Sequence, residues 1–173
     1  VNHQRGLTLI EVLIAVVVLA IGLLGIAGLQ SAALANNLIS YQYTQASTIA
    51  QAMLERMRAN RDGVLAGGYA LEPGAAVPSA TANCATTTCS PAEQAQWDIA
   101  AIVAQLSSTA DDANLSSGPR GVLPGSHLSI TCDDAPCTAD SLRIVTVYWD
   151  AGRREPDTVD CDVLRCIALG YVP

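Results

Sequence analysis

The chain contains no lysine. Its nine basic residues are all arginine, against sixteen acids, for a formal net charge of −7 over 173 residues. Most acids lie beyond residue 60. A nucleic-acid footprint needs clustered basic charge, so no nucleic-acid partner is expected. Catalytic signatures are also missing: there is no P-loop, G-x-G-x-x-G, H-E-x-x-H or G-x-S-x-G. His127 is the one histidine outside the first few residues, and alone in a strand-like stretch it reads as structural or exposed. No enzyme and no cofactor is expected. Proline is absent from Leu7 through Ala59, and past Leu29 no window holds eighteen consecutive apolar residues. The high apolar fraction therefore implies no second membrane span.

What is present begins at the amino terminus. Val12 to Leu29 is eighteen residues without a charge. Leu7 to Leu29 makes roughly 34 Å of helix, enough to cross a bilayer. Glu11 stands at the edge of this run. A carboxylate deep in a membrane helix costs about 2.5–3.5 kcal/mol and needs a partner or a function. An ordinary secretory signal has a shorter apolar region, about 7–15 residues, although Ala33-Leu34-Ala35 offers it a cleavage site. A plain single-pass anchor has no use for Glu11.

The string Arg5-Gly6-Leu7-Thr8-Leu9-Ile10-Glu11 running into this stretch resembles the amino terminus of type IV pilins and pseudopilins. The resemblance implies a six-residue prepilin leader, residues 1–6, removed by a prepilin peptidase that cuts between Gly6 and Leu7 and methylates Leu7. The family usually carries phenylalanine where Leu7 stands. Glu11 becomes the fifth residue of the mature chain, where it is expected to neutralise the Leu7 amine of a neighbouring subunit and set register. Removing the leader removes Arg5 and leaves a charge of about −8.

With no breaker between them, residues 7–60 read as one long helix, transmembrane over 7–29 and amphipathic over 30–60. Leu34, Leu38, Tyr41, Ile49, Met53 and Met57 recur at helical spacing as the face to bury. Gly22, Gly25 and Gly28 are tolerated in a membrane helix, and small residues there also let helices approach closely. The stretch Met53-Leu54-Glu55-Arg56-Met57-Arg58-Ala59-Asn60-Arg61 resembles the helix end of minor pilins of the PilV type. Arg56, Arg58 and Arg61 also suit the negative end of the helix dipole.

Residues 61–173 read as a globular head. Glycine and proline break up 61–120, apart from a short helix opened by Ser90-Pro91-Ala92-Glu93, with serine as N-cap, proline at the first position and glutamate closing a capping box. That helix should run to about Leu106 with Trp97, Ala101 and Ala104 on one side, the tryptophan in the core. Residues 121–173 read as a β-meander with strands at Ser126–Cys132, Leu142–Trp149 and Cys166–Val172. The fold class expected is α+β, the type IV pilin fold: a long N-terminal helix packed on a C-terminal antiparallel sheet.

Six cysteines fall as Cys84–Cys89, Cys132–Cys137 and Cys161–Cys166, each C-x4-C. An even count in an exported domain reads as disulfides. Fifteen pairings are open, of which local pairing is the expected one, each bridge contributing roughly 2 kcal/mol by restricting the unfolded chain. Structural zinc sites favour tighter C-x2-C spacing, so no metal site is expected there. The acidic loop of Asp157, Asp160 and Asp162 lacks EF-hand spacing and reads as solvated.

The resemblance thus implies a PilV-type minor pilin of the type IV pilus or its tip complex, supporting assembly, adhesion and twitching motility. It would cross the inner membrane once, head in the periplasm, before joining the surface pilus. Expected partners are other minor pilins and the major pilin, the prepilin peptidase, the inner-membrane assembly platform and a large tip adhesin. The alternatives are a minor pseudopilin of type II secretion and a membrane-anchored periplasmic binding module.

Overall fold

The computed structural model describes residues 9–106, 123–150 and 158–173. In chain order they form α1 (Leu9–Ala59), α2 (Arg61–Leu65), α3 (Pro91–Leu106), β1 (His127–Cys132), β2 (Arg143–Trp149) and β3 (Arg165–Tyr171). The chain divides into two units, Val1–Tyr41 and Gln42–Pro173. The described part of the first unit is helix alone. The second contains the end of α1 and everything after it.

Within the second unit, α1 buries Gln42, Ala46, Ile49, Ala50, Met53, Leu54 and Met57. Ile49, Met53 and Met57 were expected on this face. Leu34, Leu38 and Tyr41 were also expected there and are exposed. They belong to the first unit, which holds no second described element to cover them. The buried stripe instead runs through the small Ala46 and Ala50, both 0% exposed. A pattern weighted to large side chains passes over the alanines that let other elements approach a helix closely.

The sheet is a three-stranded antiparallel meander in the order β1-β2-β3, as expected from the three strand spans. Its register sets Cys132 against Arg143 and Arg143 against Tyr171 at one end. At the other, Trp149 faces Arg165. Val145, Val147 and Trp149 point into a core shared with Met53, Met57, Ile99 and Ile102. The outer edge of β1 is capped by Leu71, whose backbone exchanges two hydrogen bonds with Ile130 at 2.7 and 3.0 Å.

The central strand is covered on both faces, so alternation there is not simply apolar-in and polar-out. On the neighbouring β1, Ser129 is also buried, with its hydroxyl 3.3 Å from Tyr148 Oη. The core tryptophan is likewise Trp149, fully buried with Tyr43 edge-on at 4.9 Å. Trp97 is only half-buried. The buried stripe of α3 is Ala95, Asp98, Ile99, Ile102 and Leu106, joined by Ala101, and Trp97 lies off that stripe.

The start of α3 follows its sequence signature. Glu93 Oε2 accepts from the Ser90 amide at 2.8 Å, and the Ser90 hydroxyl accepts from the Glu93 amide at 3.4 Å. The Ser90 side chain, then its backbone amide, hold the Glu93 carboxyl below its ordinary pKa.

Candidate functional site

Two features stand apart from an ordinary packed domain. The first is the apolar part of α1. Leu9 through Leu29 are exposed along the whole stretch, and the best eighteen-residue window has a mean hydropathy of 3.0. By length and composition this helix is able to cross a membrane. Glu11 sits in its first turn, exposed like its neighbours, as the single carboxylate of the stretch. A Cβ added at Gly22, Gly25 or Gly28 would meet nothing within 4 Å, so no contact within the chain requires glycine there. Gly6 and Leu7, the expected cleavage and methylation positions, lie outside the described residues.

The second feature is a polar knot at the end of α1. Arg56 donates to Asp98 Oδ1 at 3.1 Å, and Gln94 donates to the same oxygen at 2.9 Å. Tyr69 donates its hydroxyl to Asp98 Oδ2 at 2.5 Å. Asn60 Nδ2 reaches Tyr69 Oη at 3.2 Å and the Pro91 carbonyl at 2.8 Å, while its Oδ1 caps α2 by accepting from Gly63 N at 3.3 Å. Gly63 is required by this crowding, since a Cβ would stand 2.7 Å from the Pro91 carbonyl oxygen. Asp98 is 4% exposed. Its charge is matched by Arg56, and both its oxygens accept hydrogen bonds, the condition under which a buried carboxylate is tolerated. Burial, reinforced by the bond to Asp98, pushes the Tyr69 phenol well above its ordinary pKa, so it stays a neutral donor.

The knot and the core together account for most of the Met53–Arg61 string. Met53, Leu54 and Met57 are core, Arg56 and Asn60 tie α1 to α3, and Arg58 pairs with Glu55. Arg56 is therefore more than a complement to the helix dipole. Asp98 and Tyr69 were not singled out from the sequence. The available signal was an aspartate at a buried-stripe position of α3, where only a partnered carboxylate fits.

Comparison with protein families places both features. The prokaryotic N-terminal methylation motif matches residues 1–27. The family described as type IV pilin Tt1218-like matches residues 28–100, which include every member of the knot. The chain is a type IV pilin-like protein. No curated protein and no solved structure matches it. The α+β pilin fold, with its long helix and antiparallel sheet, agrees with the family. Pilins are structural proteins, and the methylation motif implies processing by a prepilin peptidase, membrane anchoring and assembly with other pilins.

In this pilin the six cysteines stand in three local pairs at disulfide distance: Cys84 with Cys89, Cys132 with Cys137, and Cys161 with Cys166. The Cα separations are 5.6, 5.8 and 5.4 Å, all within the range a disulfide spans. Asp160 and Asp162 form a turn in which Asp160 Oδ1 accepts from the Asp162 amide at 3.2 Å. Asp157 lies outside the described residues. Among the described residues no group of three or more His, Cys, Asp or Glu is placed to hold a metal ion.

Proposed function

We propose that this pilin is a minor pilin of the PilV type, built into the type IV pilus or its tip complex, where it supports pilus assembly, adhesion and twitching motility. Its action is mechanical and templating, with no catalytic step. The observation that carries the reading is the uncovered apolar helix with its single carboxylate. Before assembly, the membrane covers that surface, with the chain crossing the inner membrane once and its head in the periplasm. After extraction, the helices of neighbouring subunits cover it. Cleavage after Gly6 and methylation of Leu7 leave Glu11 one turn from the new amine. In low dielectric a matched pair is strongly preferred to two unmatched charges, so Glu11 pairs with the Leu7 amine of the adjacent subunit and fixes register. The resemblance of Met53–Arg61 to PilV-type helix ends supports the subtype. It also supports the partners: other minor pilins, the major pilin, the inner-membrane assembly platform and a large tip adhesin.

Fractionation tests the proposal. The chain is expected both in inner membranes and in fibres sheared from the cell surface. Confinement to the membrane fraction in piliated cells would argue for an anchored module instead. We further propose that the three cysteine pairs are oxidised in the exported head. Non-reducing peptide mapping should return three local bridges, and breaking any one should destabilise the head by about 2 kcal/mol without changing membrane insertion. Six free thiols, or bound zinc, would be the contrary result.

A further inference from the structure

Among the described residues the sheet ends at β3, with no element paired to its outer edge. β2 is paired on both sides and β1 meets Leu71 on its outer edge, whereas β3 pairs only with β2 among the described residues. Exposed edges are ordinarily blunted by charge, proline or shortness. β3 has seven residues, and from Cys166 through Val172 it carries no charge and no proline. Ile167, Leu169 and Tyr171 pack on the core yet stay partly exposed. Among the described residues the apolar layer thus reaches the edge partly exposed.

Charge is placed at the two ends of this strand. Of the five arginines among the described residues, four gather there. Arg165 opens β3 opposite Trp149, with its Nη1 buried and unpartnered. At the other end Tyr171 lies opposite Arg143 and under Arg58, whose guanidinium carbon is 5.3 Å from the ring centroid. Arg143 is 6% exposed; it donates to Cys132 Sγ at 2.7 Å and the Thr138 carbonyl at 2.9 Å, and its Nε has no partner. Tyr171 Oη is buried without a partner too. Burial raises the Tyr171 pKa, while Arg143, Arg58 and Arg61 together draw it back down. Glu55 offsets part of the charge on Arg58. In a chain of net charge −7, this places guanidinium groups near both ends of an uncharged edge about 20 Å long.

We infer that the outer edge of β3 is a docking site for an extended segment of another protein, apolar in its middle and carrying carboxylates at both ends. The segment adds a fourth strand, its main chain supplying affinity and its acids supplying specificity. A second copy of this chain does not fit. Antiparallel pairing of two β3 strands would set Arg165 of each against the arginines around Tyr171 of the other, and parallel pairing would set like ends together. The inference rests on the sheet and its charges and goes beyond the assembly role of α1, so either reading can fail without the other.

The test uses the full chain in detergent micelles and a labelled short peptide of alternating valine and threonine flanked by aspartates. Saturable binding is expected, with amide exchange slowed at Ile167–Tyr171. A lysine-flanked peptide should bind at least about tenfold more weakly. The aspartate peptide N-methylated at alternate residues should not bind, because it cannot complete the ladder. Exchanging both exposed arginines, Arg58→Glu with Arg61→Glu, leaves the core intact and should weaken the aspartate peptide while strengthening the lysine one. Several results would overturn the inference: equal binding of both charged peptides, binding that survives N-methylation, protection elsewhere on the head, or no binding at all. So would β3 protection that rises with protein concentration alone, which would make a second copy the occupant.

Discussion

Glu11→Ala is expected to leave the chain in the membrane and remove it from the fibre. The substitution deletes a carboxylate from a stretch that carries no other, so insertion should be unchanged or easier, by up to about 2.5–3.5 kcal/mol. If Glu11 pairs as proposed, the same change should strand the Leu7 amine of a neighbouring subunit in the apolar core of the fibre. Breaking a buried pair by removing one partner costs about 3–5 kcal/mol, which corresponds to a fall on the order of a hundredfold or more in incorporation. The two effects have opposite signs, so a general loss of expression cannot mimic them. Comparing the variant in inner membranes and in sheared fibres reads both at once. Glu11→Gln, which keeps the shape without the charge, should behave like alanine in the fibre. Wild-type incorporation of either variant would show that Glu11 does not set register.

Asp98→Ala should destabilise the head by about 3 kcal/mol, the low end of the range for breaking a buried pair, because the Arg56 side chain is 33% exposed and regains some water. Tyr69 contributes to the loss, since its phenol is left without its acceptor. Denaturant unfolding of the full chain in detergent measures the effect. Arg56→Ala alone should also be costly, since it leaves Asp98 buried and charged with only Gln94 and Tyr69 as donors. The double variant should cost less than the two singles added together, because the pair is then removed whole. A change below about 1 kcal/mol for Asp98→Ala would mean that the knot does not hold α1 to α3.

Local signals in the sequence were sufficient for much of this architecture. Ser90-Pro91-Ala92-Glu93 fixes the start of α3 because capping chemistry involves neighbours in the chain. The run from Leu142 to Trp149 fixes β2, and the other two strands begin and end within one residue of their expected limits. Burial was less legible, because it depends on what lies opposite. Leu34, Leu38 and Tyr41 share the spacing of Ile49, Met53 and Met57 but have no second described element in their unit. Trp97 and Trp149 look alike in sequence, yet only the second faces α1 across the core. Asp98 and Tyr69 are far apart in the chain and become a site only when α2 and the loop after it bring them together. Glu11 stood out for the opposite reason: its cost is set by the apolar residues beside it, which the sequence displays directly.

The account depends most on the mature amino terminus. Mass spectrometry of the processed chain from inner membranes should show a terminus at Leu7 carrying one methyl group, because Gly6 precedes the apolar segment and the methylation motif spans residues 1–27. A terminus at Asn36, from ordinary signal cleavage after Ala35, would remove Glu11 and the membrane-length helix together and contradict the account.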